Sequence, residues 1–553
     1  MRAKQVRASL AAAAAILAIP LSQFTTITAV KAASNHATLN CALSARFCTE
    51  VADSEAVFGE GHYVGHDEPS TLFYSNKPGA GNSMTYQLTL PRDPNHKPLD
   101  VNGNQRTYNF MLHPAFWFVM AMCDTMSYPE FQNTSCTPDS DTNITSLKKH
   151  AGTAFMEMQF YPPGWQLWPA GNSCDKSKWC AALNIDSLSI NPSTGQQINS
   201  TCLNQLGGNP EYVNFAFITL DGNPTGPPNP INSTNAGTFT PDKKKDLFMS
   251  SGDVLKVDLH DTTDGLKITI DDKTSGQSGF MVTSAANHFG QVQWDPTGTS
   301  CNNIDYNFHP MYSTSSEKTR VPWAAHSYNI AFADETGHFD YCSGGTAPSF
   351  GGTCPSNNTE GVKGDTEPTD GDNFGCFPAP SASGFVQVAG CLGGNSNFDG
   401  PEYKAVWPDG NPNHPEPIRF TSPTTPATSV GTGVDYERVA FEADLPRIER
   451  NSDSAPNSCD KNTGANCTLI PKTDENVPAD FYPFFSSHNP ANAPCEWLLG
   501  NDVPGLTTVD YGQNSQYGTL LQLTYESLHG ATITRYNDFR QVLNGNPCPA
   551  TLH

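Results

Sequence analysis

Short runs of alternating apolar and polar residues recur along the whole chain, whereas the three-to-four-residue spacing of an amphipathic helix is scarce. Alternation sends successive side chains to opposite faces of an extended strand. It predicts strands over 84–90, 108–112, 154–161, 212–219, 254–260, 266–271, 279–284, 327–333, 384–389, 434–442 and 520–525. The 45 glycines and 44 prolines are spread along the sequence and not gathered in one linker, so the strands are short and joined by many loops. An all-β fold follows, an antiparallel β-sandwich or jelly roll, loop-rich in its connections.

Chemistry is densest over 152–169, GTAFMEMQFYPPGWQLWP. As a strand this stretch shows Phe155, Glu157, Gln159 and Tyr161 on one face, and Met156, Met158 and Phe160 on the other. Pro162 and Pro163 stop central pairing and Gly164 frees the turn, which delivers Trp165 and Trp168 at the strand's end or rim. One carboxylate among aromatics is the composition of a sugar-binding cleft. It is also that of a sandwich core carrying one strand-end glutamate. Taken as a site, it makes Glu157 the catalytic carboxylate, with Tyr161, Trp165, Trp168 and Gln159 binding the substrate.

The segment GDVLKVDLHDTTDGLKITIDD reads as a hairpin with Asp264-Gly265 as its two-residue turn. Counting outward pairs Thr263 with Leu266 and Leu259 with Ile270, and buries Val257, Leu259, Ile268 and Ile270 on one face. The same count sets Asp258 opposite Asp271. Facing like charges are destabilising unless solvated, bridged by a cation or partly protonated. The bridged form makes Asp258 and Asp271 a calcium-type site of structural character, with His260 beside it; no motif in the chain requires any other cofactor.

Two acidic–histidine clusters stand out, HYVGHDE at 62–68 and DETGHFD at 334–340. The alternating run SYNIAFADE ends in the second, which predicts Asp334 and Glu335 at a strand end, where they are the partners sought for Glu157; a polar turn after a strand is the plainer reading.

The acidic balance excludes whole classes of function. A formal charge of −24 includes Arg2, Lys4, Arg7 and Lys31, and without them 27 basic residues face 55 acidic ones, a net −28. Phosphate backbones demand clustered Lys and Arg, and here the only short basic run is Lys243-Lys244-Lys245 in an aspartate-flanked loop, so no nucleic-acid partner is expected. Arg2, Lys4 and Arg7 precede an apolar run over 8–21, with small residues set for cleavage near Ala32. The pattern is that of a signal peptide over 1–32 and an extracellular destination, with no membrane span.

All 16 cysteines lie beyond that leader, none in a CxxC pair, which predicts disulfides and not a zinc cluster. Local spacing suggests staples such as Cys123/Cys136 and Cys174/Cys180, leaving Cys202, Cys301, Cys495 and Cys548 for longer links. Sequence GGTCPSNNTEGVKGDTEPTDGDNFG marks a soft boundary near 345. Residues 33–345 form the main sandwich, and 346–553 a loop-rich β region that is either a second domain or the completion of the first. Beyond the boundary, Asp399, Glu402, Trp407 and Asp409 sit among turn residues. No GxSxG, HExxH, phosphate-loop or dinucleotide fingerprint is present.

The wording YVGHDEPSTLFYSN, LHPAFWFVMAMCDTMSYPE, GTAFMEMQFYPPGW, WCAALNIDSLS and FHPMYSTSSEKTRVPWAAHSYNIAFADE resembles large exported microbial proteins with no assigned function, over most of the mature chain. That resemblance implies no catalytic residues. Separately, FMEMQF is similar to the nucleophile strand of concanavalin-like endoglucanases, although the motif around their second carboxylate has no counterpart here. Two functions are therefore expected: a glycoside hydrolase using two carboxylates on a polysaccharide, or a non-catalytic protein binding a glycan or cell-surface polymer.

Overall fold

The structure, a computed structural model, describes residues 70–75, 77, 80–92, 108–124, 154–163, 174–175, 177–188, 199–206, 211–293, 295, 297–315, 330–339, 416–425, 436–444, 448–450, 467–469, 485–499, 505–511, 522–526, 532–536 and 538–550. Trp165, Trp168, the 62–68 cluster, the 384–389 strand and the 399–409 acidic loop lie outside the described residues.

Strands dominate. In chain order they are β1 (Ser70–Tyr74), β2 (Ser83–Thr89), β3 (Tyr108–Met122), β4 (Ala154–Tyr161), β5 (Cys180–Leu188), β6 (Glu211–Phe217), β7 (Val254–Thr262), β8 (Gly265–Asp272), β9 (Ser278–Val282), β10 (Gly290–Val292) and β11 (Asn303–Asp305). They continue with β12 (Ile330–Phe339), β13 (Ile418–Phe420), β14 (Arg438–Asp444), β15 (Ile448–Arg450), β16 (Cys467–Leu469), β17 (Phe485–His488), β18 (Glu496–Leu499), β19 (Val509–Tyr511), β20 (Gln522–Glu526), β21 (Thr532–Tyr536) and β22 (Asp538–Val542). Two eight-stranded antiparallel sheets face each other: β22-β14-β1-β12-β3-β4-β5-β6 and β19-β17-β18-β13-β2-β7-β8-β9. Strands from beyond residue 345 stand in both sheets, β14 beside β1 and β13 beside β2, so the late part of the chain completes the sandwich begun by the early part.

The core lies between the sheets. From the first come Phe73, Phe116, Phe118, Met156, Met158, Phe160, Leu183 and Phe332; from the second come Met84, Tyr86, Leu255, Val257, Ile268, Ile270, Phe420 and Trp497, all buried. Aromatic rings meet across the gap, with Phe332 stacked on Phe420 at 3.9 Å and Tyr86 on Phe118 at 4.9 Å between centroids. At one edge the sheets are joined where the Phe280 N–H donates to the Thr219 carbonyl, just past β6.

The two sheets differ in their outer faces. In the second, β2 and β7 alternate between buried and partly exposed positions, as expected of a sheet with one wet face. In the first, β1 and β4 are buried at every position. Part of its cover is a second apolar layer in which Phe239 and Phe248, from the 218–249 connection, pack on Tyr161, Phe215, Phe217 and the Cys174–Cys180 disulfide.

Three sequence expectations are corrected here. β3 runs on from 112 to Met122 across Pro114, because the β12–β3 register shifts between Asp334↔Phe116 and Thr336↔Met111 and leaves residues 112–115 outside the regular ladder, where a missing N–H costs nothing. β12 extends to Phe339, so Asp334 and Glu335 lie within a strand at that irregularity and not at its end. In the β7–β8 hairpin the closing pair is Thr262↔Gly265 and the turn residues are Thr263 and Asp264.

Candidate functional site

Alternation along β4 puts Met156, Met158 and Phe160 into the core and turns Phe155, Glu157, Gln159 and Tyr161 to the outer face of the first sheet. The neighbouring strand β5 alternates in the same way. Leu183 and Ile185 face the core, which sends Ala182, Asn184 and Asp186 outward. Register sets Asn184 opposite Glu157, and Asp186 opposite Phe155, diagonal to Glu157. On the other side β3 contributes Trp117 opposite Gln159 and Val119 opposite Glu157.

The result is a polar ladder sealed from water. Glu157 is 1% exposed, Gln159 2%, Tyr161 2%, Asn184 4% and Asp186 3%. The Tyr161 hydroxyl donates to Gln159 Oε1, and Gln159 Nε2 donates to Glu157 Oε2 at 2.6 Å. On β5, Asn184 Nδ2 donates to Asp186 Oδ2 at 2.8 Å. Burial, with the charges of Glu157 and Asp186 adding to it, holds the Tyr161 hydroxyl protonated well above the usual tyrosine range. Tyr161 is thus fixed as a donor, and both carboxylates act on it electrostatically.

Of the residues singled out by the sequence, the structure brings together Glu157, Gln159 and Tyr161. It does not bring Asp334 to them. Asp334 pairs with Phe116, which faces the core, while Glu157 pairs with Val119 on the outer face, two strands away. A pair on opposite faces of one sheet cannot flank a single bond, so the expected Glu157–Asp334 partnership is not formed in this fold. Glu335 occupies the adjacent irregular position of β12. The carboxylate that shares a face with Glu157 is Asp186. Its signal is CAALNIDSL, where Asn and Asp alternate with Leu and Ile, a strand that is not among those predicted from the sequence.

Asp258 and Asp271 do not face each other. Asp258 faces Thr269, and Asp271 faces Lys256 and Ser278. His260 Nδ1 lies 3.1 Å from Asp258 Oδ1, and Asp271 is held below the usual carboxylate range by a Ser278 hydroxyl donor at 2.7 Å and by Lys273. The facing pair that motivated a cation there does not exist.

Two acidic groupings that sequence reading missed close the ends of β7. At one end stand Asp253 and Asp272, 6% and 1% exposed, near enough for their charges to act on each other. Burial pushes Asp253 up, whereas Asp272, against its own burial, is held down by donors from Ser275 and Thr274. At the other end Asp261 Oδ1 lies 2.7 Å from His309 Nδ1 and orients that imidazole. Comparison with protein-family models and with curated proteins finds no match for the chain. The site's own geometry carries the functional argument.

Proposed function

We propose that this chain is a non-catalytic extracellular protein that binds a glycan or cell-surface polymer. The observation that carries the non-catalytic side is the sealing of the β4 carboxylate: Glu157 is 1% exposed and hydrogen-bonded by Gln159, and its expected partner Asp334 stands on the opposite face. A hydrolase acting on a polymer needs two carboxylates open to one groove. An extracellular setting is supported by disulfide bonding, with no free cysteine among the described residues. Glycan as the ligand is supported by the sandwich scaffold and by the aromatic sequence that follows β4, with Trp165 and Trp168. Binding to insoluble polysaccharides and to a glycan array tests this, with Trp165→Ala and Trp168→Ala expected to weaken retention while Glu157→Gln leaves it in place. Failure of the wild-type protein to bind any of them refutes it.

One observation favours a second reading. A glycosidase needs its two carboxylates on one face, and diagonal positions on adjacent strands share a face of the sheet. Glu157 and Asp186 occupy such positions. Assay of reducing ends over a polysaccharide panel from about pH 4 to about pH 8 separates the readings. Hydrolysis abolished by both Glu157→Gln and Asp186→Asn would install the enzyme; no hydrolysis by the wild type supports the binder.

A further inference from the structure

We propose that Glu157, Asn184 and Asp186 hold a hard divalent cation of the calcium class on the outer face of the first sheet. This goes beyond the glycan reading and does not depend on it. Asn184 is 4% exposed and its Nδ2 donates to Asp186 Oδ2, which holds the amide beside that carboxylate. Asn184 Oδ1 has no hydrogen-bond partner. A buried carbonyl without a donor is destabilising, and native structures rarely tolerate it without an ion or water in place.

Its surroundings name the missing group. Glu157 is the residue directly across the ladder from Asn184, and Asp186 is two positions along on the same face. Three acceptors of one kind, two carboxylates and an amide carbonyl, thus occupy adjacent positions of one buried face. Oxygen-only sets of this composition suit calcium, whose six to eight ligands are carboxylates, amide carbonyls and waters. Soft or nitrogen-seeking metals are disfavoured, since the set contains neither sulfur nor imidazole. Among the described residues no group of three or more His, Cys, Asp or Glu side chains is placed to hold a metal, and the set proposed here differs in taking its third oxygen from Asn184.

The next layer is already arranged. Gln159 holds Glu157 Oε2 at 2.6 Å and is itself held by the Tyr161 hydroxyl, so the Glu157 carboxylate is oriented by its neighbours as metal ligands commonly are. Asn184 does the same for Asp186 through its Nδ2. With 1–4% exposure at each ligand the ion would be taken up on folding and retained.

Tyr161 also supplies a probe, because a tyrosine beside the site sensitises terbium luminescence. The purified full-length protein should carry about one calcium-class ion per chain by elemental analysis. Stripped by chelator in denaturant and refolded, it should give a saturable terbium signal on tyrosine excitation, displaced by calcium. Asn184→Leu and Asp186→Asn should each weaken terbium binding about tenfold or more, whereas Asp258→Asn should leave it unchanged. Wild-type protein with no bound ion and no saturable terbium signal overturns the proposal, whatever the variants do. So does an ion retained at full affinity by Asp186→Asn, or lost in Asp258→Asn alone. If the ion is absent and lowering the pH stabilises the refolded protein, a proton shared by Glu157 serves Asn184 Oδ1 and the cation is refuted.

Discussion

Asp246 shows what a single buried carboxylate does to the pH response of this protein. It is 2% exposed, accepts from the Thr225 hydroxyl at 2.5 Å and the Asp242 N–H at 2.6 Å, and lies beside the charges of Asp242 and Lys245. Burial outweighs these donors and pushes its pKa up to about 6. Because the folded-state value stands above the unfolded one, the native state binds the proton more tightly, and the stability this confers is present at low pH and lost as pH rises through about 6. The full swing is about 3 kcal/mol at 1.36 kcal/mol per unit. Asp246→Asn keeps one carbonyl acceptor and removes the titration. Urea midpoints at a series of pH values should show the variant gaining on the wild type between about pH 4 and about pH 7. A difference that stays flat across that range would rule out Asp246 as the titrating group.

At the scale of elements, the β7–β8 hairpin explains both what was legible and what was not. Alternation has a period of two, so it assigned Val257, Leu259, Ile268 and Ile270 to the buried face, and they are buried. The predicted and observed pairings differ by two positions in the ladder, Leu259 with Ile270 against Leu259 with Ile268. Such an offset changes no residue's face, and alternation alone is blind to it. What fixes the register is tertiary. Gly265 has φ of +120°, and a Cβ there would come within 2.6 Å of the Thr283 carbonyl oxygen and 3.1 Å of that of Phe308. Gly265→Ala should therefore cost about 2–6 kcal/mol, since the collision adds to the backbone strain. Gly276, φ +77° with open space around it, is the control, and Gly276→Ala should cost only about 1–2 kcal/mol for its left-handed backbone. Thermal melts of both decide it; equal losses would mean that the approach of Thr283 and Phe308 does not set the turn. The site was half legible for a similar reason. Glu157, Gln159 and Tyr161 were visible as one face of one strand, but Asp186 and the misplacement of Asp334 depend on which strands are neighbours, and that is decided by long-range pairing.

The whole molecule is a case of distant segments meeting. β1 lies between β12 and β14, and β2 between β7 and β13, so each sheet joins strands hundreds of residues apart. Ordering such loops carries an entropic cost, and crosslinks reduce it by restricting the unfolded chain. Cys202–Cys301 spans 99 residues and ties the short helix α1 (Ser200–Gln205) to the segment before β11; Cys495–Cys548 spans 53 and fastens the chain's end beside β18, where Ser422 also takes donors from Trp497 and Asn546. Cys174–Cys180 spans only 6. Loop-closure entropy ranks their worth at about 4.7, 4 and 2 kcal/mol in that order. Paired Cys→Ala replacements, unfolded in urea with the other disulfides intact, should reproduce that order. Cys495 and Cys548 are 4% and 0% exposed and sit in the shared core, so their removal should also lower the slope of the transition if the C-terminal strands then fray before the rest. Should the Cys174–Cys180 pair prove the costliest to remove, its contact with Tyr161 and Phe215 on the outer face, and not chain entropy, would be what the disulfide protects.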